Sequence, residues 1–520
     1  MSLVRNFATV GGATLLSRLL GFVRDVLLAA AVGAGPVADA FVVAFRLPNL
    51  FRRLLAEGAF NSAFIPLFGR TVEEEGDESA RRFAGEIGAA LLFCLLALTA
   101  LAQIFMPLVV WALAPGFVGD QEKFDLTILM SRIAFPYLIF ISLLAFIGGI
   151  LNTYQRFAAA AFAPAMLNIV MSAVLGTVLV AGIEDSTTLG IILAVGVTVG
   201  GVVQLAVVII DLRRLGFRIP VYRPRYTKSA KRLLVLGLPG VVAGGVTQIN
   251  IAVGQIIASL QDGANALLYY ADRLYQLPLG VIGIAIGVVL LPSLTRQLRS
   301  GHMVAYQHSL NRALEFSLVL TLPASVALAV LPGEIVAVLF QRMRFDATAV
   351  EGTAAALTAF SFGLPAFVLN KVFSPGYFSR EDTKTPMIFA AIGMVVNVGL
   401  SIALFPFLHH VGIALATSVA GWVNTGLLIF FLWRRGHFAP DLKLLRRLVL
   451  VLLASLFMGV VLYFAALYLA PYLTDSWLIV RAASLALLVL LGMVTFALST
   501  QLSGGADLAG MLKALTRRNT

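Results

Sequence analysis

Long apolar runs recur along almost the whole chain, and short polar stretches separate them. Fourteen of these runs are long enough to cross a bilayer as helices of about 20 residues. They cover approximately 8–33, 38–65, 84–113, 126–151, 158–182, 189–211, 233–260, 266–294, 307–332, 352–375, 387–407, 411–433, 448–471 and 477–500. Alternate polar stretches differ in charge. One set carries Arg70, Arg81 and Arg82; Arg156; Arg213 to Arg232; Arg296 and Arg299; Arg380 and Lys384; Arg434 to Arg447; and Lys513 to Arg518. The opposite set offers only Lys123, Arg342 and Arg344. Basic loops stay on the cytoplasmic side, so both termini are expected there.

The longest basic stretch is "DLRRLGFRIPVYRPRYTKSAKR" at 211–232, and the pattern of prolines and arginines around its "RIPVYRPR" is not helical. It reads as a cytoplasmic linker resting on anionic headgroups. Around it the pattern repeats weakly. Leu47-Pro48 in the second span has a counterpart in Leu277-Pro278 in the eighth, and "LNTYQRF" has one in "PGYFSREDTKTP". Six spans is an even number, so both repeats insert the same way up, with a substrate site expected between them near the midplane. The expected fold is an all-α polytopic membrane protein with two pseudo-symmetric six-helix lobes and two extra C-terminal helices. Its parts are a first lobe at 1–212, a linker at 213–232, a second lobe at 233–433, a linker at 434–447, helices thirteen and fourteen at 448–500, and a tail at 501–520.

Composition agrees with this reading. The 520 residues are 60% hydrophobic and 12% charged, against about a quarter charged in soluble proteins. A β-barrel would show short alternating segments instead. The net charge of +12 follows from the basic loops and does not call for nucleic acid. The lone cysteine, Cys94, reads as a small core residue, and the His409–His410 pair as interfacial. No cofactor is expected, and no cysteine or histidine cluster suggests a metal. The N-terminal run is too long and too broken by arginine to be a cleavable signal.

The first two spans break the apolar rule. "SRLLGFVRD" puts Arg18, Gly21 and Asp25 on one helix face with Arg24 beside it. In "DAFVVAFRLPNLFRRLLAEGAF", Asp39, Arg46, Arg53 and Glu57 share a face, with Asn49 on it and Arg52 beside it. A charge at the bilayer centre costs about 2.5–3.5 kcal/mol, so these stripes should face protein or water. Pro48 should kink the second span toward that cavity. Five arginines outnumber three acids. Guanidinium binds phosphate oxygens bidentately and stays charged when desolvated. The surplus asks for an anionic guest. "YYADRLYQLP" adds Asp272 and Arg273 from the second half. Thr247, Gln248, Asn250 and Asn397 are polar positions within spans, and interhelical hydrogen bonds account for them more simply than a bound Na⁺.

Six stretches carry a family resemblance: "SRLLGFVRD", "ADAFVVAFRLPNLFRRLLAEGAFNSAFIPLF", "APGF", "GGILNTYQRFAAAAFAPAMLNI", "YYADRLYQLPLGVIGIAIGVVLLPSL" and "VFSPGYFSREDTKTP". Through them the chain resembles the MurJ (MviN) lipid II flippases of the multidrug/oligosaccharidyl-lipid/polysaccharide exporter superfamily. The resemblance implies an inner-membrane transporter, not an enzyme. Its substrate would be lipid II, the undecaprenyl-diphosphate precursor of peptidoglycan, moved outward by alternating access. It implies a cationic cavity in which Arg18, Arg24, Arg52 and Arg273 hold substrate and Asp25, Asp39 and Glu57 are acidic partners. Arg46, Arg53 and Asp272 join these sets by their placement alone. Spans 13 and 14 are implied to form a lipid-tail groove. Coupling to membrane potential, H⁺ or Na⁺ stays open, and the cell-wall synthesis machinery is an implied partner. A flippase for another lipid-linked oligosaccharide or polysaccharide is the alternative, because its substrate also bears a diphosphate. A cation-drug exporter would want an acidic cavity, and an enzyme would want a nucleophile–base pair that this sequence lacks.

Overall fold

The computed structural model describes residues 3–53, 61–225, 227–475 and 477–505. Among these residues the chain is helical, with no strand. It forms two compact units. The first comprises Met1–Ala266 with Arg342–Phe345, and the second Leu267–Gln341 with Asp346–Thr520. In the first lie α1 (Leu3–Val32), α2 (Pro36–Arg52), α3 (Asn61–Leu113), α4 (Gln121–Ala134), α5 (Tyr137–Thr153), α6 (Ala158–Ala181), α7 (Ser186–Arg214) and α8 (Lys228–Ala258). Helix α9 (Ala264–Arg299) begins there and continues into the second unit. The second also holds α10 (Met303–Val330), α11 (Pro332–Phe340), α12 (Ala347–Ser361), α13 (Leu364–Phe378), α14 (Lys384–Arg434), α15 (Leu442–Leu473) and α16 (Leu478–Ser503).

Local chemistry sets many of the helix starts. Asp120, Asp185, Asp346 and Asp441 each accept from the backbone N–H three residues on, at 2.6–3.1 Å, which satisfies a donor that the helix cannot. Pro36 and Pro332 stand in the first turns of α2 and α11, where no backbone donor is lost. Nine helical segments among the described residues are long and apolar enough to cross a membrane. Helix α1, which carries Arg18, Arg24 and Asp25, is not one of them.

The expected runs and observed helices agree closely, with instructive exceptions. The fourth and tenth runs are each two helices. The fourth is interrupted at Phe135–Pro136 and the tenth at Phe362–Gly363. The repeat therefore shows in the backbone as a broken helix at matching places. Helix α3 passes through a non-helical turn at Gly76 (φ 82°) inside the exposed "VEEEGDE" stretch, and α14 turns at His409 (φ 49°). The stretch 217–225 is not helical, as its prolines demand. One reading is corrected and one is refined. Cys94 is exposed on the outside of α3, because a thiol in an apolar run faces lipid as readily as protein. The turn at His409 gives the expected helix end, and of the pair His409 is exposed while His410 is buried, its Nε2 2.9 Å from the Gly352 carbonyl.

Helix α15 is fastened to α10 in the second unit. Gly459 allows the contact: a Cβ there would come within 2.6 Å of Val326 Cγ1. Below that contact, Glu315 is buried and accepts from both Arg312 and Arg447. Arg312 also reaches the cap Asp441. Removing Glu315 deletes the charge-assisted bonds to both arginines, each worth about 1.5–3 kcal/mol, and leaves Arg312 with Asp441. Glu315→Ala is therefore expected to lower the unfolding temperature of the detergent-solubilised protein by several degrees. An unchanged melting curve would show that the network contributes nothing net.

Candidate functional site

Helix α1 packs along α6, and Gly21 makes room for an α6 side chain. A Cβ at Gly21 would lie 3.3 Å from Asn168 Nδ2. Asn168 donates from that nitrogen to the Ser17 carbonyl at 2.9 Å. Its Oδ1 accepts from Arg24 Nη1, also at 2.9 Å. Arg24 Nε and Nη2 donate to Asp25 Oδ1 at 3.0 and 2.6 Å, and the guanidinium lies 5.9 Å from the Phe45 ring centre on α2. Both charged groups are buried. The pair is locked from two sides, and a charge-assisted bond of this kind is stronger than a neutral one.

The other charges of α1 and α2 are distributed differently. Arg18 is exposed. Arg52, half-buried, donates from Nε to Asn49 Oδ1 at 3.2 Å, and Asn49 donates to the Phe45 carbonyl at 2.7 Å. Arg46 is half-buried and Arg53 exposed. Pro48 lies inside α2 with its helix continuing to Arg52. Glu57 lies outside the described residues. In the second unit Asp272 is bonded by Gln276, and the Arg273 guanidinium lies 4.6 Å from the Tyr269 ring centre.

Asp39 does not join the arginines. Its carboxylate is fully buried and accepts from Lys123 Nζ at 2.7 Å, from Gly263 N at 2.8 Å and from Ala266 N at 2.9 Å. It thereby satisfies donors in the first turn of α9. Lys123 Nζ also meets Asp262 at 3.1 Å and lies 4.1 Å from the Phe117 ring centre. Sequence reasoning counted Lys123 among the loop charges. Its side chain is instead buried in the first turn of α4, where two carboxylates and an aromatic face replace water. Nearby, Arg342–Phe345 packs on the same unit, with Arg344 N donating to Ala30 O at 3.3 Å and Arg344 Nη2 to Ile183 O at 3.1 Å.

Lys123, Asp262 and Asn168 were therefore missed as polar partners. Lys123 left one faint signal, a single lysine on the nearly uncharged side of the chain. Asn397, noted as a polar position within a span, has its Oδ1 3.3 Å from the Thr417 hydroxyl on the other limb of α14.

Buried, hydrogen-bonded charge on helices of an otherwise apolar bundle defines the class: a multi-pass helical membrane transporter. A profile described as "Lipid II flippase MurJ" matches residues 28–483. The chain belongs to that family. It is 48% identical over 520 residues to the probable lipid II flippase MurJ of Rhizobium tropici, covering 100% of this chain and 97% of the relative. It is 35% identical to the lipid II flippase MurJ of Burkholderia cenocepacia over 90% of this chain and 91% of that one. A solved lipid II flippase MurJ in an inward closed conformation superposes with a TM-score of 0.79 at 27% identity, covering 95% of this chain and 98% of that one. An inward-facing multidrug-resistance MATE transporter of the MOP superfamily shares the fold, with a TM-score of 0.59 at 16% identity over 84% of this chain and 94% of that one.

Proposed function

We propose that this protein moves lipid II from the inner to the outer leaflet of the bacterial cytoplasmic membrane by alternating access. Both termini are cytoplasmic in this reading. The work is transport rather than catalysis, and the synthases that consume outer-leaflet precursor are its partners. Full-length similarity to relatives bearing that name supports the substrate. One observation supports the chemistry. Of the three acids in the α1–α2 stretch, Asp39 is engaged by Lys123 and the α9 backbone, which leaves Asp25 and Glu57 against five arginines.

The diphosphate is the part of the substrate that hydrocarbon rejects. Arginines replace its water shell, while the prenyl tail stays in lipid. Arg18, Arg24, Arg46, Arg52, Arg53 and Arg273 are the candidate ligands, and Asp25, Glu57 and Asp272 the charge partners and gates, while Asp39, expected among them, is taken by Lys123 and the start of α9. Leaflet-resolved accessibility of lipid II in cells depleted of this protein tests the reading. Wild type is expected to restore outer-leaflet lipid II. Failure to restore it, with restoration of another diphosphate-linked saccharide, would favour the polysaccharide alternative. Full rescue by a variant lacking Arg18, Arg24 and Arg273 together, at equal expression, would remove the arginines from the mechanism.

Outward movement of an anion is favoured by the interior-negative potential by about 2.3 kcal/mol per charge per 100 mV. Flipping is therefore expected to slow when the potential is collapsed with H⁺ and Na⁺ gradients clamped. An unchanged rate would assign the drive to an ion gradient instead.

A further inference from the structure

Between α1, α6 and α7 the first unit carries an open groove of about 570 Å³. Small side chains line it, among them Gly12, Ala13, Ala158 and Ala159, with Phe162 alongside. A Cβ at Gly12 would meet nothing within 4 Å. Asp211 and Arg214 also line the groove, at the α7 C-terminus. Asp211 is engaged by Arg156 Nη1 at 2.9 Å. The exposed guanidinium groups of Arg213 and Arg214 make no hydrogen bond or ion pair among the described residues.

From that end of α7 the chain continues as an extended strap held against α3. The buried Phe217 ring packs on Phe68 and Tyr154, with centroids 5.9 and 5.6 Å apart, and Arg81 lies 5.7 Å from its centre. Gly85 on α3 admits the next turn of the strap, since a Cβ there would fall 2.6 Å from the Pro220 carbonyl oxygen. With its aromatic residues so held, the strap leaves Arg218, Arg223 and Arg225 exposed, and Val221 is 98% exposed. Residues 212–225 contain no acid.

A largely apolar slot that ends at the unengaged Arg214 guanidinium, with Arg213 next to it in the chain and a fixed basic strap with a bare valine beyond, has the chemistry of a lipid site. We infer that it binds an anionic phospholipid of the cytoplasmic leaflet, with one acyl chain in the groove and the phosphate at Arg213 and Arg214. A zwitterionic lipid offers the same chain, but its net neutrality forgoes the strap's attraction, about fivefold in partition per arginine. The leaflet assignment rests on the cytoplasmic orientation proposed above.

The test uses the full chain in nanodiscs, in a Cys94→Ala background, with a small fluorophore at Phe162→Cys. A second fluorophore at Val195→Cys, farther along α7, reports ordinary boundary lipid. Brominated phosphatidylglycerol is expected to quench the groove label several-fold more than brominated phosphatidylcholine at equal mole fraction, with no such preference at 195. Arg213→Gln/Arg214→Gln/Arg218→Gln should abolish the preference, and so should Gly12→Leu, which fills open space. Equal quenching by both lipids, or the same preference at both positions, would overturn the site. Loss of quenching on adding stoichiometric undecaprenyl diphosphate would overturn it too, by assigning the groove to the transported lipid. Labelling of Val221→Cys in intact cells by an impermeant thiol reagent would refute the orientation alone and leave the groove result standing.

Discussion

Arg24→Ala is expected to abolish lipid II flipping, and restoring local charge balance is expected not to rescue it. The single change removes three hydrogen bonds, to Asp25 and Asn168, and takes the guanidinium away from a buried carboxylate. Bonds to charged groups are worth about 1.5–3 kcal/mol each, so some loss would follow from structure alone. The double variant Arg24→Ala/Asp25→Ala separates the two contributions, because it removes the carboxylate together with the guanidinium. Leaflet-resolved lipid II accessibility at matched expression is the measurement. If the double variant flips at even half the wild-type rate, Arg24 exists to neutralise Asp25 and not to hold diphosphate. Arg24→Lys adds a finer reading. An ammonium keeps the charge but cannot span Asp25 and Asn168 with one planar fork, so flipping should stay severely impaired.

Lys123→Met is expected to be nearly as damaging, although no substrate is proposed to touch it. Asp39 is fully buried and holds the first turn of α9 through two backbone donors. Lys123 is the charge that makes that burial tolerable. Leaving Asp39 alone should cost about 3–5 kcal/mol, which is roughly a hundredfold or more in the population of the α9 start as seen here. Thermal unfolding and cell-based complementation should both show the loss. Asp39→Asn/Lys123→Met is the informative partner, since it removes the buried charge while the single amide oxygen can still accept from one of the two backbone donors, which bond different carboxylate oxygens. The double variant is expected to regain much of the melting temperature that the single variant loses. If it is no more stable than Lys123→Met, charge compensation is not what Lys123 supplies.

What could be read from sequence followed from short-range physics. Hydropathy located most of the helices, because an apolar run of that length has few other solutions. It missed that α3 begins well before the third run, and the second run crosses residues 54–60, outside those described. The prolines of "RIPVYRPR" excluded helix correctly. Arginine in α1 and α2 marked a place where charge had to be accommodated. The partners could not be read, because they come from far along the chain. Arg24 meets Asn168, and Asp39 meets Lys123 and Gly263, at separations of 84 to 224 residues. The repeat was legible only in outline. Residue type would match Arg156 with Arg380 across the two turns, yet the backbone hydrogen bonds match in another register, Arg156 N to Leu151 O and Asp382 N to Tyr377 O. Gln155 and Glu381 are the left-handed residues (φ 59° and 61°), which sets Arg156 opposite Asp382. Arg156 pairs with Asp211, and Asp382 pairs with Arg435, at 2.9 Å in each case. The ion pair is kept while its polarity is exchanged, and matching of residue types is blind to that.

The fastening of α15 to α10 bears on how such a chain can be shortened or recombined. Glu315 sits on α10, while Arg447 and the cap Asp441 belong to the segment that follows α14. Cutting the chain after α14 would leave Glu315 with a single arginine and expose the face of α10 that Gly459 now approaches. The last two helices are thus not a detachable appendix to the helices before them. A lineage or an engineer that discards them must recode α10 in the same step, replacing a buried acid with an apolar residue.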